Sequence, residues 1–488
     1  MCDARFVGRS IACLLFVAAC ASVSSASPQA APAANKIPIT TSSSEARALY
    51  LQGRDLADRL RATDARKLYE QAVAKDPTFA LGYLALASTS GTTKEFIDGT
   101  TRAAALAGGV SEGERHQILG LEAAMKGEPA GMLAHYTELV RLFPEDERAH
   151  NLLGNLYFGR QDYDAAIRQY VKATSINPSF SQPYNQLGYA YRFVEQFDQA
   201  ETAFRKYTQL IPNDPNPYDS YAELLMKIGR FDEATTNYRK ALSIDPNFVA
   251  SYVGIGCVEL SKGHPDQARA SFAKIDAVAR NTGERRLARF WTSAAYVHEG
   301  ATDQAIEELK AEYALAEAER DYASMSGDLN QMGDVLREAG RRDQALAKYA
   351  EAVRVINQAP AAVQDVTRRN HVFEQGRVAV AAGDLADAKA KAAQYVREGE
   401  AKKVPFEIRQ QHELAGLIAL AEKRYPAAAD ELRQANQQDP RILYLTAIAL
   451  KHSGDSAGAA RLATKAAAFN GLSFNYGYVR AKALSSAE

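Results

Sequence analysis

The chain has 488 residues, 47% of them hydrophobic and 24% charged, an ordinary globular composition in a length too great for one compact core of ~150 residues. Its 58 basic and 59 acidic residues are spread along the whole length and leave a formal net charge of -1, so there is no polybasic patch to release counterions from a phosphate backbone, and nucleic acid is not an expected partner. With 24 Tyr, 1 Trp and no long alternating β-branched runs, the composition points to packed helices rather than sheets.

The chain begins with Arg5 and Arg9 ahead of an apolar run from Ile11 to Ala21, the charged and hydrophobic parts of a secretory signal. That run falls short of the ~20 residues a membrane-spanning helix needs. Two ways of processing remain open. Ser24-Ser25-Ala26 offers small residues for cleavage after Ala26, whereas Val17-Ala18-Ala19-Cys20 resembles the lipobox of bacterial lipoproteins, in which the cysteine becomes the lipidated first residue. Ala21 rather than Asp after Cys20 implies, in that family, delivery to the outer membrane. Residues 1–26 are therefore expected to be a signal peptide, and the protein to be exported to the periplasm, either free or lipid-anchored through Cys20. Residues 27–44 are rich in Ser, Ala, Pro and Thr and are expected to form a flexible linker. Cys2, Cys13 and Cys20 all lie in this leading region, so disulfides are not expected to hold the fold.

From residue 45 a step of 34 organises the chain. Pro144, Pro178, Pro212 and Pro246 form one column; Gly120, Gly154, Gly188 and Gly256 form another, with Ala222 in the remaining place. Ala166, Ala200, Ala234 and Ala268 form a third, and Tyr136, Tyr170, Phe204, Tyr238 and Phe272 a fourth. The glycine column falls on the first helix of a pair and the alanine column on the second. Facing small residues predict close approach there, with proline ending the second helix and the aromatic filling the space towards the next pair. Ser111 and Glu114 have the spacing of a capping box at a helix start.

These columns carry a resemblance. Asn151-Leu152-Leu153-Gly154-Asn155-Leu156-Tyr157, followed by Ala166, Tyr170, Ala173 and Pro178, is similar to the tetratricopeptide repeat at nearly every signature place, and Tyr184, Leu187, Gly188, Tyr191, Ala200, Phe204 and Pro212 repeat the match. The resemblance implies an all-α superhelical solenoid of about twelve helix-turn-helix repeats: a regular array over 45–279 with one degenerate repeat, an irregular repeat-like array over 280–471, and a capping helix and tail over 472–488. In the irregular part the alanines at 305, 345, 388, 428 and 459 keep the pattern at looser spacing.

Catalysis needs converging titratable groups, yet none of the eight histidines stands three or four places from another, and no H-E-x-x-H, C-x-x-C, G-x-S-x-G or Walker-type glycine loop occurs. The chain reads as non-catalytic, with no cofactor and no metal site expected. Trp291 and Cys257 are expected as packing residues.

The resemblance further implies that ligands meet the first helix of each repeat. Carried over by position, this points to a peptide-binding groove of Asn151, Asn155, Asn185, Tyr189, Arg192, Asp219 and Glu223. Amide side chains both donate to and accept from an extended backbone, and Arg192 suits a carboxylate. The expected function is a protein- or peptide-binding scaffold of the bacterial envelope. The alternative is a structural or assembly factor for envelope complexes that uses its convex surface or ends.

Overall fold

The computed structural model describes residues 36–59, 61–359, 361–400 and 404–487. The expected signal peptide, Cys20 and residues 27–35 of the expected linker lie outside the described residues. Among these residues there are twenty-five α-helices and no strand, arranged as twelve antiparallel pairs and a last helix.

Two compact units divide the described chain, one ending at Leu224 and the other beginning at Leu225. In the first unit the pairs are α1 (Ser44–Asp58) and α2 (Ala62–Lys75), α3 (Ala80–Ser88) and α4 (Thr93–Leu106), α5 (Glu112–Met125) and α6 (Pro129–Leu142), α7 (Glu147–Gly159) and α8 (Tyr163–Ile176), and α9 (Ser181–Phe193) and α10 (Phe197–Leu210). The division falls inside α11 (Pro215–Lys227), which is followed by α12 (Phe231–Ile244).

The second unit continues with α13 (Val249–Lys262) and α14 (Pro265–Val278), α15 (Thr282–Glu299) and α16 (Thr302–Ala318), and α17 (Tyr322–Glu338) and α18 (Arg342–Ile356). It ends with α19 (Ala361–Ala381) and α20 (Leu385–Gly399), α21 (Pro405–Ala421) and α22 (Tyr425–Gln434), α23 (Pro440–His452) and α24 (Ser456–Ala467), and α25 (Phe474–Ala487).

The capping box at the start of α5 is complete, with Ser111 and Glu114 exchanging side-chain-to-backbone hydrogen bonds. Within the pairs the glycine column does what its missing side chain allows, although its partner differs from the expectation. A Cβ added at Gly120, Gly154, Gly188, Gly256 or Gly333 would lie 2.1–2.6 Å from the aromatic ring sixteen residues later, on the second helix of the same pair. The ring fills the space over the glycine instead of reaching towards the next pair, and the alanine column packs beside it at 0% exposure. Each fully buried ring contributes about 1.5–3 kcal/mol of transfer free energy.

First helices of neighbouring pairs also touch one another: α3 with α5 and α7 with α9 in the first unit, and α13 with α15, α17 with α19 and α19 with α21 in the second. Helices that meet in this way lie at the smaller radius, so the first helices line the inner face of each unit.

The C-terminal helix does more than cover the last pair. α25 packs on α24, α23 and α15, with the Phe474 ring 5.3 Å from that of Phe290. Arg480 on α25 donates to the carbonyl oxygens of Leu260 and Ser261 at the end of α13. The second unit thus returns on itself. Trp291 and Cys257 are buried, as expected for packing residues.

Candidate functional site

The seven groove residues lie on α7, α9 and α11, on the inner face of the first unit. They are joined in a ladder between consecutive first helices. Asn151 Nδ2 donates to Gln182 Oε1 (3.1 Å), Tyr189 Oη to Ser220 Oγ (3.2 Å) and Arg192 Nη1 to Glu223 Oε2 (3.2 Å), each across 31 residues. That separation is one 34-residue repeat less nearly one helical turn, so each rung joins a residue to one slightly earlier on the next helix. Asn155 Oδ1 accepts from the Tyr170 hydroxyl at 2.7 Å.

Asn151, Asn185, Arg192, Asp219 and Glu223 are buried, while Asn155 and Tyr189 are half-buried. The carboxylate assigned to Arg192 is thus already supplied by Glu223, and the Arg192 guanidinium lies 4.9 Å from the Tyr189 ring centroid and 5.1 Å from that of Phe193. Burial, reinforced by the Glu223 charge, pushes the Tyr189 hydroxyl well above the usual tyrosine range. The amides are less fully used: Asn151 Oδ1, Asn155 Nδ2 and Asn185 Oδ1 are buried without a hydrogen-bond partner in the protein.

Along the same unit runs an extended segment. Residues 36–43, which the sequence assigned to a flexible linker over 27–44, are instead held by carboxylates at helix ends: Asp76 just after α2, Glu114 in the first turn of α5 and Asp146 at the N-cap of α7. Ile37 N donates to Asp146 Oδ2 (2.9 Å), Thr40 N and Oγ1 to Glu114 (2.6 and 2.5 Å), and Thr41 Oγ1 to Asp76 Oδ2 (2.5 Å). Lys36 reaches Glu147 and the Glu145 carbonyl, and Ile39 packs on the apolar cluster around Tyr50 and Phe79. The segment is thereby ordered by donor-to-carboxylate bonds, each roughly twice as strong as a neutral one, together with the packing of Ile39. The thread runs opposite to the repeats, meeting the fourth pair first and the turn between the first and second pairs last.

Two arrangements lay beyond the sequence reading. On the inner face of the second unit, Arg337, Arg377 and Arg441 interlock with Asp334, Glu338, Glu374 and Glu413 from α17, α19, α21 and α23, and Arg441 closes the circuit to Glu338 at 3.3 Å. Arg286 similarly binds Asp328 on α17, with both guanidinium ends at 2.7 and 2.8 Å. The partners on different helices are 28 to 103 residues apart, and without a constant step they have no legible register. In the first unit, His116 on α5 and His135 on α6 place their Nδ1 atoms 3.0 Å apart. A fixed offset of 19 residues could have revealed this, since it also joins His150 to Gln169 and His412 to Glu431.

Repeat models match several stretches of the chain: TPR repeat at residues 154–192, and tetratricopeptide repeat at 181–214, 216–248 and 253–320. No match was found among curated proteins. Among solved structures the chain is similar to the MamA protein, at 23% identity over 33% of this chain and 89% of that one, with a TM-score of 0.29. It is also similar to a tetratricopeptide repeat protein from Parabacteroides merdae, at 15% identity over 59% of this chain and 100% of the other, with a TM-score of 0.37. A third likeness is to the APC/C hetero-tetramer Cut9-Hcn1, at 16% identity over 86% and 76%, with a TM-score of 0.37. The glycine-to-aromatic contacts recur where the repeat models match, at Gly154, Gly188 and Gly256. The chain therefore carries tetratricopeptide repeats in an all-α solenoid fold, and such repeats typically serve as non-catalytic scaffolds for protein interaction.

Proposed function

We propose that the chain is a non-catalytic scaffold that takes an extended peptide or protein segment along the first helices of its N-terminal unit. The unmatched amide atoms of Asn151, Asn155 and Asn185 carry this reading. A buried polar atom left unpaired costs about 1–3 kcal/mol, and a peptide backbone supplies both the donors that the two amide oxygens lack and the acceptor that the Asn155 nitrogen lacks. Residues 36–43 support it from within the chain, because they are a peptide segment held at three helix ends along the same unit.

The test is a photoreactive side chain placed in turn at Asn155 and Tyr189 in living cells. Adducts to a discrete partner are expected from both. Adducts only from outer second-helix positions such as Val171, 45% exposed, would reject the groove.

Residues 1–26 support an envelope location, as a signal whose Cys20 is either lipidated, for the outer membrane, or removed, for the periplasm. Mass spectrometry of the processed N-terminus decides: a diacylglyceryl group on Cys20 supports the anchor, and a chain starting at Ser27 rejects it.

One observation favours the second reading, an assembly factor that works from its outer surface. The inner face of the second unit is filled by its own ion pairs, while Val396 and Leu484 there are 43% and 49% exposed. On this reading Val396→Glu with Leu484→Glu abolishes association, and the groove substitutions leave it intact.

A further inference from the structure

His116 and His135 face each other across the third helix pair. Their Nδ1 atoms are 3.0 Å apart, both rings are half-buried and reachable from solvent, and the ring planes are inclined by 52°. Two nitrogens at that separation, each about 2.05 Å from a shared metal ion, subtend about 94° at the metal, which stands about 1.4 Å off the line joining them. That is close to the right angle of tetragonal coordination and narrower than the tetrahedral angle of zinc.

The electrostatic surroundings suit a dication. Glu138 and Glu122 lie near enough for charge interaction with His116 and His135 respectively. Among the described residues the ion pair of each carboxylate is with a residue three or four places on, Glu138 with Arg141 and Glu122 with Lys126, and such surface pairs contribute so little that either carboxylate can swing to a metal. Among the described residues no group of three or more His, Cys, Asp or Glu stands ready to hold an ion, so water and a recruited carboxylate take the positions beyond the two imidazoles.

We propose that His116 and His135 form a two-imidazole site for a divalent transition metal of tetragonal preference, Cu2+ above Ni2+, with Zn2+ weaker and Mg2+ and Ca2+ not bound. Rotation of the two rings turns their Nδ1 atoms from each other towards the ion, and the proton shared between them passes by way of solvent to the Nε2 of the ring that held it, so that both imidazoles bind in the neutral form.

The next pair of the chain provides a control for folding. His150 there bonds to Gln169 at the same offset of 19 residues, at 2.7 Å, so His135→Gln keeps the contact between the helices while removing one metal ligand. The experiment is titration of the full chain, and of the His116→Gln and His135→Gln variants, with Cu2+, Ni2+, Zn2+ and Mg2+, followed by calorimetry, by Cu2+ electron paramagnetic resonance and by Tm. The expected result is a one-to-one Cu2+ site with a two-nitrogen signature, a Tm that rises with metal, and affinity at least about tenfold lower in each variant at unchanged metal-free Tm. Equal Cu2+ affinity in the parent and both variants, or no binding by the parent, overturns the site and leaves the pair as a hydrogen-bonded contact between helices.

Discussion

Arg192 and Glu223 form an ion pair at 3.2 Å between consecutive first helices, with side chains only 9% and 7% exposed. Charges so far from water are costly to separate. Replacing Glu223 alone by Ala should destabilise the first unit by about 3–5 kcal/mol, because Arg192 is left buried and uncompensated. The double variant Arg192→Met with Glu223→Leu should recover most of that loss. Urea unfolding of the four proteins of this cycle measures it, and additive losses would show the two side chains to be independent.

The glycine-to-ring contact makes a sharper packing prediction. Gly154→Ala puts a methyl group 2.6 Å from the fully buried Tyr170 ring, so the unit should lose about 1–3 kcal/mol by overpacking. Gly108→Ala, with nothing within 4 Å of the added carbon, should be neutral or slightly stabilising. Equal Tm values for the two variants would contradict the close approach.

Residues 36–43 should respond to acid. Hydrogen bonds from the Thr41 and Thr78 side chains hold the Asp76 carboxyl down at about 2, below its ordinary range near 4. A depressed carboxylate stabilises the folded form above about pH 4, and its contribution fades as pH falls towards 2. Asp76→Asn should mimic that loss at neutral pH, with amide exchange of residues 40–43 speeding up while that of α7 stays unchanged. Hydrogen-exchange mass spectrometry distinguishes this from general loosening.

Asp58 behaves in the opposite sense. Burial pushes its carboxyl up to about 8, outweighing the attraction of Arg148 4.0 Å away. The folded protein therefore holds a proton that the unfolded chain releases near pH 4, and the stability from this group, full below pH 4, is lost as pH rises to 8. Across pH 4–8 the Tm of Asp58→Asn should fall less steeply than that of the parent. Parallel curves would show that Asp58 is ionised in the folded state.

Most of the architecture was legible because its signals recur. Gly154 and Ala166 mark the close contacts of one pair, and their columns mark those of its neighbours. The partner of the glycine was misread because sequence spacing cannot say whether a ring on the second helix turns inward over its own pair or outward. The groove positions sit where a family register puts them, but their pairing, such as Asn151 with Gln182, needs the rotation between repeats, which no single repeat encodes. Residues 36–43 escaped notice for a different reason. Their order comes from Asp76, Glu114 and Asp146, and nothing in Thr40-Thr41-Ser42 signals such partners. The closed circuit through Arg441 and Glu338 depends on curvature accumulated over four pairs.

The clasp of Arg480 on the carbonyls of Leu260 and Ser261 changes how the second unit can come apart and how it can evolve. A linear array frays from its free end, one module at a time, at little cost. Here peeling away the last helix also breaks bonds made some 220 residues earlier in the chain, so loss of the end and loosening of the beginning are a single event. Such a unit should melt all at once rather than by stages. Duplication of a terminal module, the usual way such arrays lengthen, would also displace the clasp and cost this unit its closure.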